Sequence, residues 1–240
     1  MSNPAISEPI SILLETQNYI VINKPYDLCI NGEKELQTHG KTVASILGDQ
    51  RPDLVDNHVC SGFRFPHQLD YATSGALCIT LNKKTTGEVV RLFKERKVEK
   101  EYLALVRGHV SEDEQVIKSM IGKDSSDVTG FAMTSDEMKY THPKSAETRI
   151  KVLNRGYYKS QPISKLAVHP ITGRRHQIRV HCLNIGHPIL GDYTYSGKLD
   201  SKPYRMMLHS WKLMIPLEHE AVDITTLDPF GCLIESKHRI

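Results

Sequence analysis

One carboxylate, Asp70, lies in a setting that suits a reactive acid. It follows a leucine and precedes a Thr-Ser-Gly sequence within His67–Gly75, and the apolar run Gly75–Leu81 predicts a buried strand directly afterwards. A turn attached to a rigid strand can present a side chain to a cleft. The same residues also suit ordinary turn chemistry, in which the Asp70 carboxylate accepts hydrogen bonds from nearby backbone amides. Taken alone, this segment favours the structural turn.

A second segment combines a predicted strand with a predicted helix that carries three arginines. Lys165–Pro170 predicts a strand, and Ile171–Gly186 predicts a helix with Thr172 as its N-cap and Gly186 just past its end. Arg179 lies within this helix. The permanently charged planar fork of any arginine suits a carboxylate, and a cation near an enclosed carboxylate keeps it ionised. Contact with a phosphate or a surface ion pair are alternative roles for Arg179.

Three histidines, His176, His181 and His187, invite a zinc interpretation that their spacing disfavours. His176 and His181 are five residues apart, not the four that align two ligands on one helical face, and the chain has no Cys-x-x-Cys pair. Thr172-Gly173-Arg174 also lacks the glycines and the lysine of a P-loop. We therefore predict neither a metal site nor nucleotide hydrolysis.

The composition is that of a globular protein large enough to bury a sizeable core. The 240 residues are 39% hydrophobic and 25% charged, and no apolar run reaches the ~20 residues that span a bilayer. Met1–Pro9 lacks the features of a targeting signal, and five scattered cysteines do not predict a disulfide framework. We expect a cytoplasmic protein with nuclear access and no membrane association. The net charge of +3 permits nucleic-acid binding without demonstrating it.

The remaining elements are mostly strands. The sequence predicts a hairpin of Ser11–Thr16 and Tyr19–Asn23, a short helix capped by Thr38 or Thr42, a helix over Thr85–Lys97, and further strands at Glu99–Gly108, Glu147–Leu153, Ser164–His169, Tyr204–Pro216 and Ala221–Thr225. Residues 111–143 are polar and are predicted to be rich in loops. Few helices without regular alternation predict an α+β fold with a mixed, mostly antiparallel sheet.

Together with Ile20–Pro25, Lys100–Val106 and Gly186–Asp192, the two segments resemble the RluA-type family of RNA pseudouridine synthases. The approach Gly62–Phe65 to the His-Gln-Leu-Asp motif is similar to that of one eukaryotic subgroup of the family. The resemblance implies the pseudouridine synthase fold, with a central sheet in two halves, flanking helices and a central active-site cleft. It also implies a single catalytic domain over residues 1–240, without the N-terminal S4 RNA-binding domain that many relatives carry.

The resemblance further implies an enzyme that isomerises uridine to pseudouridine in RNA without a cofactor. Asp70 matches the catalytic aspartate of the family, and Arg179 matches the arginine that approaches it. Tyr102 matches a tyrosine that stacks against the target base, although a strand tyrosine is also ordinary packing. Ile178 is expected to pack near the base ring.

One position among the expected substrate contacts departs from the pattern of the family. Most relatives carry an arginine before Leu-Asp, where it helps to displace the flipped base, and this chain has Gln68. Arg64 is a candidate substitute, His67 is expected to orient the loop through a backbone hydrogen bond, and Arg174 and Arg175 can contact RNA phosphates or solvent. The departure leaves a second function open, that of a catalytically silent RNA-binding protein or RNA chaperone. We expect a monomer whose partner is tRNA, rRNA or mRNA.

Overall fold

The computed structural model describes residues 9–32, 38 and 40–236. The strands are β1 (Ser11–Glu15), β2 (Tyr19–Lys24), β3 (Ser74–Thr80), β4 (Glu99–Arg107), β5 (Glu114–Asp124), β6 (Met133–Thr134), β7 (Tyr140–Tyr158), β8 (Gln161–Pro170), β9 (Leu208–Ile215) and β10 (Val222–Thr225). The helices are α1 (Val43–Gln50), α2 (Lys83–Lys94) and α3 (Gln177–Asn184). The predicted α+β class is confirmed.

The chain folds into two compact units. One contains the described residues up to 99 together with 210–226, and the other contains 100–209 together with the described residues from 227 onwards. The chain passes from the second unit back to the first within β9. The cleft expected between the halves of the sheet, and the single catalytic domain, stay predictions.

In the first unit the strand order is β1-β2-β3-β9-β10. β1 pairs with β2, β2 with β3, and β10 with β9, all antiparallel, which confirms the predicted hairpin at the start of the chain. Its core contains side chains from the strands and from α2, among them Tyr19, Val21, Cys78, Val89, Leu92 and Leu213. All seven residues of β3 are buried. This strand is therefore a rigid support for the turn that precedes it.

Both α1 and α2 begin at side-chain caps. The Ser45 amide donates to Thr42 Oγ1 at 3.1 Å and the Thr42 amide donates to Ser45 Oγ at 2.9 Å, so Thr42, one of the two predicted caps, begins α1. Asn82 caps α2 by accepting from the Thr85 amide at 2.9 Å, so this helix begins slightly earlier than predicted. Such caps satisfy backbone donors that have no partner within the helix.

In the second unit the strand order is β4-β8-β7-β5-β6, and each of these pairs is antiparallel. The helix α3 packs against β5, β7 and β8. A core cluster formed by Ile121, Ala146, Val180 and Tyr195 joins the helix to the sheet.

The prediction of a loop-rich region over residues 111–143 is wrong. This region contains β5, β6 and the first part of the 19-residue strand β7. On β5 the buried residues Ile117 and Ile121 share one face with the partly buried Gln115 and Ser119. Two polar residues on the inward face hide the alternation of apolar and polar residues on which strand prediction depends.

All five cysteines are free thiols, as the sequence predicts. Burial raises the pKa of the Cys78 thiol and that of the Cys182 thiol to about 12 in each case, so both are protonated and unreactive at neutral pH. Across residues 9–32, 38 and 40–236, the helices are too short or too polar for any of them to span a bilayer.

Candidate active site

Asp70 opens a tight turn immediately before β3. The Thr73 amide donates to the Asp70 carbonyl oxygen at 3.1 Å, and the strand begins at Ser74. Leu69 is buried, Gln68 on its other side is exposed, and Asp70 is partly exposed. The turn is therefore attached to the interior of the first unit, while its acidic residue stays accessible.

The buried side chain of Lys24 fixes the backbone next to Asp70. Its Nζ donates to the carbonyl oxygens of Pro25 at 2.8 Å, Leu28 at 2.7 Å and Tyr71 at 3.0 Å. The Leu28 amide also donates to the Tyr71 carbonyl oxygen, at 3.2 Å. A buried ammonium needs such partners, and hydrogen bonds from an ionised donor are stronger than neutral ones. Lys24 thus ties β2 to the Asp70 turn.

His67 and Gly75 fix the segment on either side of the turn. His67 Nε2 accepts from the Cys78 amide of β3 at 2.9 Å, which is the kind of backbone hydrogen bond that the sequence predicts, and its ring stacks on Phe93 with centroids 4.9 Å apart. Gly75 has φ of +110°, and a Cβ placed there would lie 2.2 Å from the Ser210 carbonyl oxygen. Only glycine combines this backbone conformation with so close an approach.

Arg64, the candidate substitute for the arginine that Gln68 replaces, is paired within its own unit. Its guanidinium forms an ion pair with Asp56, and its carbonyl oxygen accepts from the Thr80 amide at 3.0 Å. The His58 amide and the Arg64 guanidinium together hold the pKa of Asp56 below its usual range. An inserting role for Arg64 would require this ion pair to break.

The predicted start of the arginine-bearing helix is wrong. α3 begins at Gln177, with His176 at its N-cap in the left-handed region at φ of 53°, and residues 171–176 form an irregular turn. Thr172 does not cap the helix. Its hydroxyl accepts from the Glu147 amide at 3.0 Å and donates to Gln177 Oε1 at 2.6 Å, so it joins the turn to β7. Gly186, at φ of +79°, does follow the end of the helix as predicted.

Within the second unit, the Arg179 guanidinium forms a buried two-pronged ion pair with Asp192. Nε donates to Oδ2 at 2.7 Å and Nη2 donates to Oδ1 at 2.8 Å. The Tyr195 ring lies 4.8 Å from the guanidinium carbon, and the Tyr195 amide donates to Asp192 Oδ1 at 3.2 Å. This packing fixes the orientation of the arginine fork. The pairing of Asp70 with Arg179, whose residues belong to different units, stays a prediction.

Tyr195 connects this ion pair to the strand β6. Its hydroxyl oxygen accepts from the Met133 amide at 2.9 Å and lies 2.8 Å from His176 Nδ1. The tyrosine ring also lies over Arg179. Tyr195 therefore joins three parts of the second unit in one contact network: His176 before α3, Arg179 within α3, and Met133 at the start of β6.

The other residues that the family resemblance selects also belong to the second unit. Tyr102 is partly buried on β4, opposite Val168 of β8, and Ile178 is buried on α3. Lys100 lies on the same face of β4 as Tyr102. Its Nζ is 3.8 Å from the position that a Cβ on Gly173 would take, and burial lowers its pKa. An ammonium therefore lies beside the turn that leads into α3.

Arg174 and Arg175 differ in their surroundings. Arg174 Nε donates to the Ser145 carbonyl oxygen at 3.0 Å, so this side chain is attached to β7. Arg175 is exposed, and its guanidinium lies over the Phe131 ring, 5.2 Å from the centroid. Either residue can present charge to a phosphate.

The histidines of this region contact protein groups. His181 is fully buried between the hydroxyls of Ser119 and Thr148, at 3.1 and 2.8 Å, and burial lowers its pKa to about 4. His187 Nδ1 lies 2.7 Å from the Arg107 carbonyl oxygen. In the part of the chain that the structure describes, no group of three or more His, Cys, Asp or Glu side chains is arranged to hold a metal ion.

Comparison with known proteins identifies the family. The sequence profile described as RNA pseudouridylate synthase matches residues 18–184. RNA pseudouridylate synthase domain-containing protein 1 of Danio rerio is 45% identical over 235 residues, covering 98% of this chain and 80% of the relative. The dual-specificity RNA pseudouridine synthase RluA of Escherichia coli is 31% identical over 214 residues, covering 89% and 90%. The chain belongs to the RNA pseudouridylate synthase family, whose reaction is an isomerisation in RNA.

A solved structure supports the same conclusion. The structure described as human RNA pseudouridylate synthase domain containing 1 is 39% identical, with a TM-score of 0.81, and the match covers 96% of this chain and 87% of that one. The family and the eukaryotic subgroup that the motifs predict are confirmed.

Three residues that fix the turn of Asp70 in the first unit or the arginine of α3 in the second had no role assigned from the sequence. Lys24 and Asp192 lie within segments that resemble the family, but their types alone did not reveal their partners. Tyr195 lies outside those segments. A lysine at the end of an apolar strand, directly before a proline, was the one available signal, because a charge in that position needs buried partners.

Proposed function

We propose that this protein converts uridine to pseudouridine in RNA and that Asp70 is its catalytic residue. The proposal rests on the way in which Asp70 is held. This accessible acid lies on a turn, and Lys24, His67 and Gly75 each fix that turn to buried strands. A catalytic group must be held close to its productive geometry, and rigid elements with supporting hydrogen bonds do this better than a free loop.

The reaction suits a lone carboxylate. The bond between uracil N1 and ribose C1′ breaks, the base turns, and C5 bonds to C1′; the C5 proton then leaves to solvent and N1 takes up a proton from solvent. The product is an isomer of the substrate, so neither a redox partner nor an energy source is consumed. The Asp70 carboxylate either attacks C1′ or takes a proton from the ribose as the base leaves.

Arg179, Tyr102 and Ile178 are assigned to the environment of the base and of the acid. Asp192 accepts two hydrogen bonds from Arg179, one from Nε and one from Nη2. This ion pair fixes the orientation of the Arg179 guanidinium. Tyr102 is placed against the base as a stacking ring, and Ile178 as an apolar contact beside it.

The remaining assignments concern the RNA. Gln68 is exposed next to the acid, and we assign it to the displacement of the flipped base, a role in which glutamine has a shorter reach than arginine and no charge. Arg174 and Arg175 are assigned to phosphates. We further propose that the protein acts as a monomer without a cofactor, on structured tRNA, rRNA or mRNA, in the cytoplasm with access to the nucleus.

Release of tritium from RNA labelled at uridine C5 tests the assignment, because each turnover expels that hydrogen. With a pool of labelled tRNA transcripts, we expect release by the wild type and by the control Asp49→Asn, an exposed acid on α1. Asp70→Asn and Asp70→Ala should release none while still binding RNA. Wild-type release no greater than that of Asp70→Ala, together with normal RNA binding, would favour the silent RNA-binding alternative that Gln68 suggests.

A further inference from the structure

An aromatic ring and a guanidinium are paired on the surface of the second unit. The Phe131 side chain is 60% exposed, which is unusual for a large apolar ring, and Arg175 lies over it at 5.2 Å. Phe131 has no role in the proposed reaction, and Arg175 is assigned there only to a phosphate of the RNA. A guanidinium and an aromatic ring are the two planar side-chain groups on which unpaired bases stack.

The hairpin tip that carries Phe131 is ordered by a single carboxylate. Asp127 accepts from the Thr129 amide at 3.2 Å, the Phe131 amide at 2.9 Å and the Ala132 amide at 2.6 Å. These bonds, that of Ala132 above all, lower the pKa of Asp127 to about 2. The ring is therefore presented by a fixed turn, which limits the ordering entropy that a contact through it would cost.

The turn that carries Arg175 is anchored through the neighbouring arginine. Arg175 lies in the turn before α3, next to Arg174, whose Nε is bonded to the Ser145 carbonyl oxygen. Met133, two residues after the ring, is tied to the Tyr195 hydroxyl. Since Arg175 precedes Arg179 by four residues, their Cα atoms are at most about 14 Å apart. The pair is thus close enough to the assigned reaction residues to meet a neighbouring nucleotide.

The charges around the pair fit a polyanion. Exposed Lys144 and the two arginines of the turn lie together on this part of the unit, since Arg174 is bonded to the residue after Lys144. The carboxylate of Asp127 is turned inward onto backbone amides, which reduces its opposition to a phosphate. An apolar protein partner would gain little from three cations, whereas single-stranded RNA uses both the charge and the ring.

We propose that Phe131 and Arg175 form a stacking and phosphate contact for a nucleotide that flanks the target uridine and so contribute to the choice of RNA site. This inference rests on the proposed function, because it names the part of the substrate that meets this surface.

Binding measured in an Asp70→Asn background tests it without conversion of the RNA. The probe is a fluorescein-labelled RNA hairpin with a loop of uridines, and a series in which each loop base in turn is replaced by an abasic site. Phe131→Ala should weaken binding about tenfold or more, and Phe131→Tyr should bind like the wild type. The control Met138→Ala, at a residue that is 91% exposed between β6 and β7, should not change binding. At one abasic position the Phe131→Ala loss should vanish. A purely structural role would not produce that dependence.

Salt dependence tests the arginine. Arg175→Gln should reduce the slope of log Kd against log salt by about 0.7, while Lys139→Gln, whose ammonium is paired with Asp136, should leave it unchanged. Unchanged affinity for Phe131→Ala, an equal loss at every abasic site, or no binding of the hairpin by Asp70→Asn would overturn the proposal. Failure of the wild type to release tritium would overturn the proposed function instead, so the two failures are distinguishable.

Discussion

Replacing Gly75 with alanine should lower the free energy of unfolding by more than the addition of one methyl group usually does. A Cβ at this position would lie 2.2 Å from the carbonyl oxygen and 2.7 Å from the nitrogen of Ser210, and both are backbone atoms that no side-chain rotation can move. The residue also adopts φ of +110°, a conformation that alanine resists. Relief of the clash requires β3 to move away from β9 by about an ångström, and Asp70 lies five residues before this point.

Two terms set the size of the effect. A residue other than glycine in this backbone region costs about 1–3 kcal/mol, and forcing an extra methyl group into a packed interior costs about 1–3 kcal/mol more. The expected loss is therefore about 2–6 kcal/mol, a large share of the 5–15 kcal/mol that stabilises a typical domain. We expect the midpoint of urea unfolding to fall by about 1 M or more.

The matched control is Gly87→Ala. Gly87 is exposed on α2 and a Cβ there meets nothing within 4 Å, so alanine should stabilise the helix by about 0.5–1 kcal/mol. The fluorescence of Trp211, the chain's single tryptophan and the residue after Ser210, reports unfolding at the affected strand. Tritium release by the folded fraction of Gly75→Ala should also fall. A Gly75→Ala midpoint at or above that of the wild type would refute the argument from close packing.

Three further results are expected. Lys24→Met should cost about 3 kcal/mol in urea unfolding and lower kcat more than RNA affinity, because the fully buried ammonium holds the carbonyl beside the acid; an unchanged kcat would contradict this. Burial lowers the pKa values of His181 and His209 to about 4, so as the pH falls each histidine is protonated in the unfolded chain before it is protonated in the folded one. The free energy of unfolding should therefore fall by up to about 1.4 kcal/mol per pH unit for each histidine between pH 6.5 and 4. Replacing His181 with glutamine should flatten that dependence, and an equal slope would argue against it. Gln68→Arg should leave the melting temperature unchanged, since the position is exposed, and should steepen the salt dependence of RNA binding; an identical slope would remove the role given to this residue.

Local signals were sufficient for several elements of both units. The apolar run after the Thr-Ser-Gly turn specified β3, Gly186 marked the end of α3, and Thr42 was one of two candidates for the cap of α1, because caps and buried strands depend on residues adjacent in the chain. The pattern failed on β5, where Gln115 and Ser119 occupy inward positions. Ser119 is accommodated there because it faces the buried His181, a partner 62 residues away.

The sequence by itself determined the family, the α+β class and the position of the acid on a turn before a buried strand, since these follow from motif order and from local periodicity. Only the tertiary structure revealed which residues fix the turn of Asp70 and which residue orients the Arg179 guanidinium. Lys24 bonds to a carbonyl 47 residues away, and Arg179 is paired with an aspartate from beyond its own helix. A buried charge is stable only where partners from other elements meet it, and no local pattern records where that occurs.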